Sequence, residues 1–182
     1  MVEVINQPAI HKLPWDPVCR FRPAGPGELE PCKVRSVQDL VIPGIPPVKV
    51  RVFNPPGEQP EGGWPVLVYC HGGVGACLTA ECLVVSVDYR LAPEHIFPAA
   101  VDDSWAAMEW VYERGPPESG INRSKIAVGG SSAGSNLSAV MAQRAARRSP
   151  PIPIIYQVLI VPATNNTVQQ DGSSQLPAYH ES

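Results

Sequence analysis

The chain has 182 residues, 44% hydrophobic and 17% charged, which suits one globular domain with a sizeable core and excludes a disordered chain. A net charge of -3 offers no basic footprint for nucleic acid. No run of about 18 apolar residues occurs, so no transmembrane helix is expected. The first twelve residues carry Glu3 and no apolar stretch, unlike a signal peptide, so the expected location is cytoplasmic.

Residues 1–36 show no periodicity. Pro14-Trp15-Asp16-Pro17 and Pro23-Ala24-Gly25-Pro26-Gly27 are turn material, and the segment reads as an N-terminal arm or cap. From Val37 the pattern changes. Residues 40–42 and 48–52 are predicted strands joined by the Pro/Gly turn 43–47. The second alternates Val48, Val50 and Val52 with Lys49 and Arg51, so one face is wet: an antiparallel edge hairpin. After a Pro/Gly loop, residues 66–70 form a continuous apolar run, suited to a strand buried on both faces. It ends in His71-Gly72-Gly73-Val74-Gly75. Glycines directly after a buried strand let backbone N–H groups turn inward, which is how an oxyanion hole is built from main chain. Taken alone, the same residues also describe a plain tight turn.

Residues 83–88 are a second buried strand. The stretch 89–95 leaves it as a turn, and Phe97-Pro98-Ala99-Ala100 opens a helix, with Pro98 in the first turn where proline is tolerated. Val101, Trp105, Met108 and Tyr112 mark its expected buried face, and Gly115-Pro116-Pro117 ends it. Residues 125–129 are a third buried strand. It runs into Gly130-x-Ser132-x-Gly134, the nucleophile-elbow pattern. A serine perched between strand and helix takes a strained backbone, and the chain on either side crosses closely. Gly130 and Gly134 lack the Cβ atoms that would collide there, and Ala133 is small. The pattern alone is common, and strand–turn–helix is its confirming context. The helix follows: Ala133, Leu137, Val140, Met141 and Ala145 share one face, and Ser149-Pro150-Pro151 stops it. A last apolar strand spans 154–161, and residues 163–182 are polar and irregular.

Strand, crossover, strand, helix, strand, helix, strand predicts an α/β fold: a doubly wound, mostly parallel sheet preceded by an antiparallel edge hairpin. Its central strands are expected at 66–70, 83–88, 125–129 and 155–161. The other glycine-loop chemistries fail. A phosphate-binding P-loop needs Lys where Ser135 stands, and the spacing is not G-x-G-x-x-G. Cys19, Cys32, Cys70, Cys77 and Cys82 fit no zinc pattern and read as free thiols in a reducing compartment. No metal site is expected.

The run from about 66 to 162 resembles the α/β-hydrolases of the hormone-sensitive-lipase-like group. Three blocks carry the resemblance: His71-Gly72-Gly73; Val87-Asp88-Tyr89-Arg90-Leu91-Ala92-Pro93-Glu94-His95 with Phe97-Pro98-Ala99-Ala100; and Gly130-Ser131-Ser132-Ala133-Gly134. The resemblance implies a cofactor-free serine carboxylester hydrolase acting on small esters with short to medium acyl groups. It implies Ser132 as nucleophile and the N–H groups of Gly72, Gly73 and Ala133 as the oxyanion hole. Asp88, Arg90 and Glu94 match the family's structural turn. The rival readings are a non-catalytic protein of the same fold that binds a small ligand or partner, and amide or formamide hydrolysis on the same elbow. Acyl specificity and oligomeric state stay open.

The chain departs from the family pattern in four places. Val74 stands for the third glycine of the first block, and Ser131 for the usual Asp before the nucleophile. Between Gly73 and Cys82 only residues 74–81 remain, whereas a parallel crossover needs roughly a dozen residues or more, so a strained or rearranged connection is expected. The triad order in this fold is Ser, then Asp or Glu, then His. Asp171 and His180 follow Ser132 in that order, but no strand precedes either to position it. The expectation is a partial hydrolase domain over 37–182 whose triad acid and base are missing.

Overall fold

A computed structural model describes residues 33–72, 81–116 and 119–163. Six strands and two helices follow in the order β1 (Ser36–Ile42), β2 (Val48–Asn54), β3 (Trp64–Cys70), β4 (Leu83–Asp88), α1 (Ala99–Glu113), β5 (Ile121–Ser131), α2 (Ala133–Arg147) and β6 (Ile154–Ile160). They form one sheet in the order β1-β2-β4-β3-β5-β6. β1 and β2 are an antiparallel hairpin at one edge, and β2 pairs antiparallel with β4. From β4 to β6 every pairing is parallel.

This is the mixed, mostly parallel α/β sheet that the strand pattern predicted. Its winding reverses at β3: the chain passes from β3 to one neighbour, β4, then crosses back over it through α1 to β5. The crevice at the carboxyl ends of β3 and β5 is therefore a topological switch point, where open α/β sheets bind ligands. The 71–82 connection joins two parallel neighbours, but the expected strain at 74–81 falls almost wholly outside the described residues. The arm expected over 1–36 also falls largely outside them.

Alternation along the strands decides which face is the main core. Val66, Val68, Cys70, Val85, Val87, Ile126 and Val128 are buried in one cluster with residues of both helices. Leu67, Tyr69 and Val84 form a smaller buried cluster on the other face. Two helix faces differ from expectation. In α1, Val101 and Met108 are buried as predicted, but Ser104, Ala107 and Val111 complete the face, while Trp105 and Tyr112 are half-buried. In α2, Leu137, Met141 and Ala145 are buried, together with Gly134, Ser135 and Ser138, while Ala133 is exposed and Val140 half-buried. The reason is the same in both. Ser104 donates to the Ala100 carbonyl at 2.7 Å and Ser138 to the Gly134 carbonyl at 2.8 Å, so each hydroxyl is satisfied within its helix and can be buried.

A further correction concerns β6. It was expected among the central strands, but among the described residues it pairs with β5 alone and forms the sheet's second edge. Ile155 and Tyr156 are accordingly 60% and 67% exposed. No helix of the described residues is long and apolar enough to cross a membrane.

Candidate active site

β5 ends at Ser131 and α2 begins at Ala133, so Ser132 alone makes the turn between them. Its backbone sits at φ 53°, ψ -115°, a region that side chains disfavour. Neighbouring bonds over-determine this conformation. The Ser132 N–H donates to the Ile160 carbonyl at 2.9 Å, and its own carbonyl accepts from the N–H of Ser135 at 3.1 Å. The Ser135 hydroxyl lies 2.6 Å from the Gly130 carbonyl and 2.8 Å from the Ile160 carbonyl, tying the elbow to β6. Asn136 adds a bond to the Ala163 carbonyl at 2.7 Å.

The two outer glycines of the elbow are required by space. A Cβ on Gly130 would lie 2.6 Å from the Cys70 carbonyl and closer still to that of Gly134. A Cβ on Gly134 would overlap the carbonyls of Cys70 and His71. The elbow thus presses against the carboxyl end of β3, the strand that delivers His71 and Gly72. Gly72 packs on the elbow in turn: a Cβ there would overlap the Ser131 carbonyl oxygen and reach within 3.4 Å of its Cβ.

Ser132 and Ala133 are exposed at the start of α2. The N–H groups in the first turn of a helix have no intrahelical partner, and the helix dipole places partial positive charge there. Ala133 holds the first of them. Ser132, Ala133 and Gly72 are therefore gathered at one end of the sheet. Gly73, Asp171 and His180 lie outside the described residues. Among those described, His71 and His95 make no hydrogen bond to Ser132; the His71 imidazole Nδ1 lies 3.1 Å from the Gly72 carbonyl oxygen. Nor do the described residues gather three metal-binding side chains in one place.

The turn after β4 is held by charge. Asp103 of α1 is buried and accepts from the Arg90 backbone N–H at 2.9 Å and from its guanidinium at 2.8 to 3.1 Å. The hydrogen bond to Asp103 raises the Arg90 pKa further above its ordinary value. The preceding residue, Tyr89, stacks its ring on His71, with centroids 4.4 Å apart and planes inclined by 13°. Its hydroxyl donates to the His71 carbonyl at 2.5 Å. A cleft of about 400 Å³ lies beside this turn, lined by Lys49, Asp88, Glu94 and His95 among others, with Ser132 outside its lining. The sequence placed Arg90 in a structural turn but did not reveal Asp103 as its partner. An Arg in a turn and an Asp within the apolar period of the next helix were the available signal.

Comparison with known proteins matches these features. A family profile described as alpha/beta hydrolase fold covers residues 67–181. An AB hydrolase superfamily protein of Schizosaccharomyces pombe is 40% identical over 185 residues, covering 84% of this chain and 53% of that protein. The carboxylesterase NlhH of Mycobacterium tuberculosis is 47% identical over 135 residues, covering 66% and 41%. Among solved structures, an esterase of Pyrobaculum calidifontis superposes with a TM-score of 0.63 at 41% identity, covering 75% of this chain and 48% of that one. The chain belongs to the α/β-hydrolase fold family, in the hormone-sensitive-lipase-like group that its three motifs resemble. It spans about half the length of the curated relatives it matches.

Proposed function

We propose that this chain carries the nucleophile half of a serine carboxylester hydrolase acting on small esters with short to medium acyl groups. The observation that carries the reading is Ser132 at φ 53°, exposed at the strand-to-helix turn of a topological switch point. In this reading Ser132 Oγ attacks the ester carbonyl. A C–O bond forms to serine as its hydroxyl proton passes to solvent, the ester C–O bond breaks and the leaving oxygen takes a proton from solvent to depart as the alcohol, and water then hydrolyses the acyl-enzyme to the acid and free Ser132. The N–H groups of Gly72, Gly73 and Ala133 hold the negative oxygen of the tetrahedral intermediate. The carboxylesterase relatives support the ester class. The free thiols of Cys70 and Cys82 fit a reducing, cytoplasmic compartment.

Within residues 1–182 we infer that the reaction runs without a positioned acid and base. Without a base the Ser132 hydroxyl keeps an ordinary alcohol's weak nucleophilicity, so turnover is expected several orders of magnitude below that of a complete triad enzyme. The test is turnover of nitrophenyl esters of graded acyl length by the purified chain, beside Ser132→Ala and His180→Ala. The expected result is slow hydrolysis of the shorter esters, lost in Ser132→Ala and kept in His180→Ala. Fast turnover lost in both variants would make His180 the base. Equal rates in the parent chain and Ser132→Ala would favour a non-catalytic binding protein.

A further inference from the structure

We propose that Tyr89 is a positioning residue of the site: its hydroxyl, bonded to the His71 carbonyl, sets the direction in which the Gly72 N–H points. This rests on the reading of Gly72 as an oxyanion donor.

The His71 carbonyl and the Gly72 N–H are the two ends of a single peptide unit. That unit is planar, and when trans its N–H points opposite to its C=O. Fixing one end therefore fixes the other. The unit needs fixing, because glycine accepts φ of either sign and a peptide beside it can turn over at little cost. Tyr89 holds the carbonyl at 2.5 Å from β4, the neighbour of β3 on the side away from the elbow. Gly134 crowds the same carbonyl from the elbow side. The peptide is thus gripped between the turn after β4 and the turn before α2.

Tyr89 is itself held in place. Its ring stacks on His71, and the adjoining Arg90 is clamped to buried Asp103. Tyr89 is 5% exposed, and burial raises its phenol pKa, so the proton it donates is retained. A hydrogen bond accepted at a carbonyl also polarises the N–H of the same peptide, which strengthens it as a donor.

The test compares the parent chain, Tyr89→Phe and Ser132→Ala. Phenylalanine keeps the ring and its stack and removes only the hydroxyl. Two readouts are used. The first is the carbonyl carbon NMR signal of His71, which reports the hydrogen bond directly. The second is the rate at which a nitrophenyl alkylphosphonate labels Ser132. There Ser132 Oγ bonds to phosphorus, nitrophenolate leaves and the hydroxyl proton passes to water, while the phosphoryl oxygen occupies the oxyanion position.

Loss of a whole oxyanion donor costs about a hundred- to a thousand-fold. A donor left in place but undirected should cost less, about tenfold. The expected result is an upfield shift of the His71 carbonyl carbon and a labelling rate at saturating probe about tenfold lower, with half-saturation unchanged. A purely structural role would leave that rate alone. An unmoved carbonyl signal would overturn the hydrogen bond. A moved signal with unchanged labelling would overturn the positioning role. Labelling of the parent chain that is absent, or that persists in Ser132→Ala, would instead overturn the proposed function, and this inference with it.

Discussion

Gly130 and Gly134 face one another across the elbow so closely that a Cβ on the first would overlap the carbonyl of the second. Both also press on the Cys70 carbonyl, so the neighbouring atoms are backbone and cannot swing aside. Gly134→Ala is therefore expected to destabilise the fold by about 3 kcal/mol, the upper range for overpacking. It should also displace the His71 carbonyl and abolish labelling of Ser132. Urea denaturation and probe labelling check the two effects.

Strain at Ser132 gives an opposite expectation. A residue held at φ 53°, ψ -115° costs of order 1–3 kcal/mol, and glycine takes that region without penalty. Ser132→Gly is expected to raise Tm by about 2–4 °C, the shift that about 1 kcal/mol gives in a chain of this size. It should also lose all reactivity. A calorimetric scan showing a lower Tm would mean that the turn stores no strain.

The clamp between Arg90 and Asp103 is half-buried, with side-chain exposures of 29% and 5%. Removing one partner of a fully buried pair costs about 3–5 kcal/mol, and the exposed side of Arg90 reduces that. Asp103→Asn is expected to cost about 2 kcal/mol by thermal melting. It should also slow labelling of Ser132, because Tyr89 leans on the same turn.

Stability should fall at alkaline pH through Cys70. Burial pushes this thiol from its ordinary 9.0 up to about 11, against the smaller opposing effect of bonds to Ser104 and Ser138. The neutral thiol is thus favoured in the folded state. Its contribution is complete below pH 9 and is lost as the pH rises to about 11. Two pKa units correspond to about 3 kcal/mol. Burial raises Tyr69 and Tyr89 as well, so they act in the same direction at higher pH. Cys70→Ala is expected to flatten the decline between pH 9 and 11 in urea denaturation.

Much of this architecture was legible in the sequence because the physics behind it is local. Apolar runs marked β3 and β4, alternation marked β2, and two glycines around a serine marked the elbow. The unread parts depend on distant partners. β5 begins at Ile121 through Asn122, Arg123 and Ser124, a polar stretch that becomes strand because Ile121 pairs with Trp64. Ser104 and Ser138 are buried because each hydroxyl bonds its own helix, which an apolar period does not record. Tyr89 was visible within a long motif, but its bond to His71 depends on β3 and β4 lying side by side. β6 looked central from its seven uncharged residues, yet it forms an edge.

Ser132 is proposed above as the reactive serine of an ester hydrolase. The most direct measurement is mass spectrometry of the 182-residue chain after incubation with a nitrophenyl alkylphosphonate. One adduct per chain is expected, on the peptide that contains Ser132 and absent from Ser132→Ala. An unlabelled chain, or an adduct distributed over other serines and unchanged in Ser132→Ala, would contradict it.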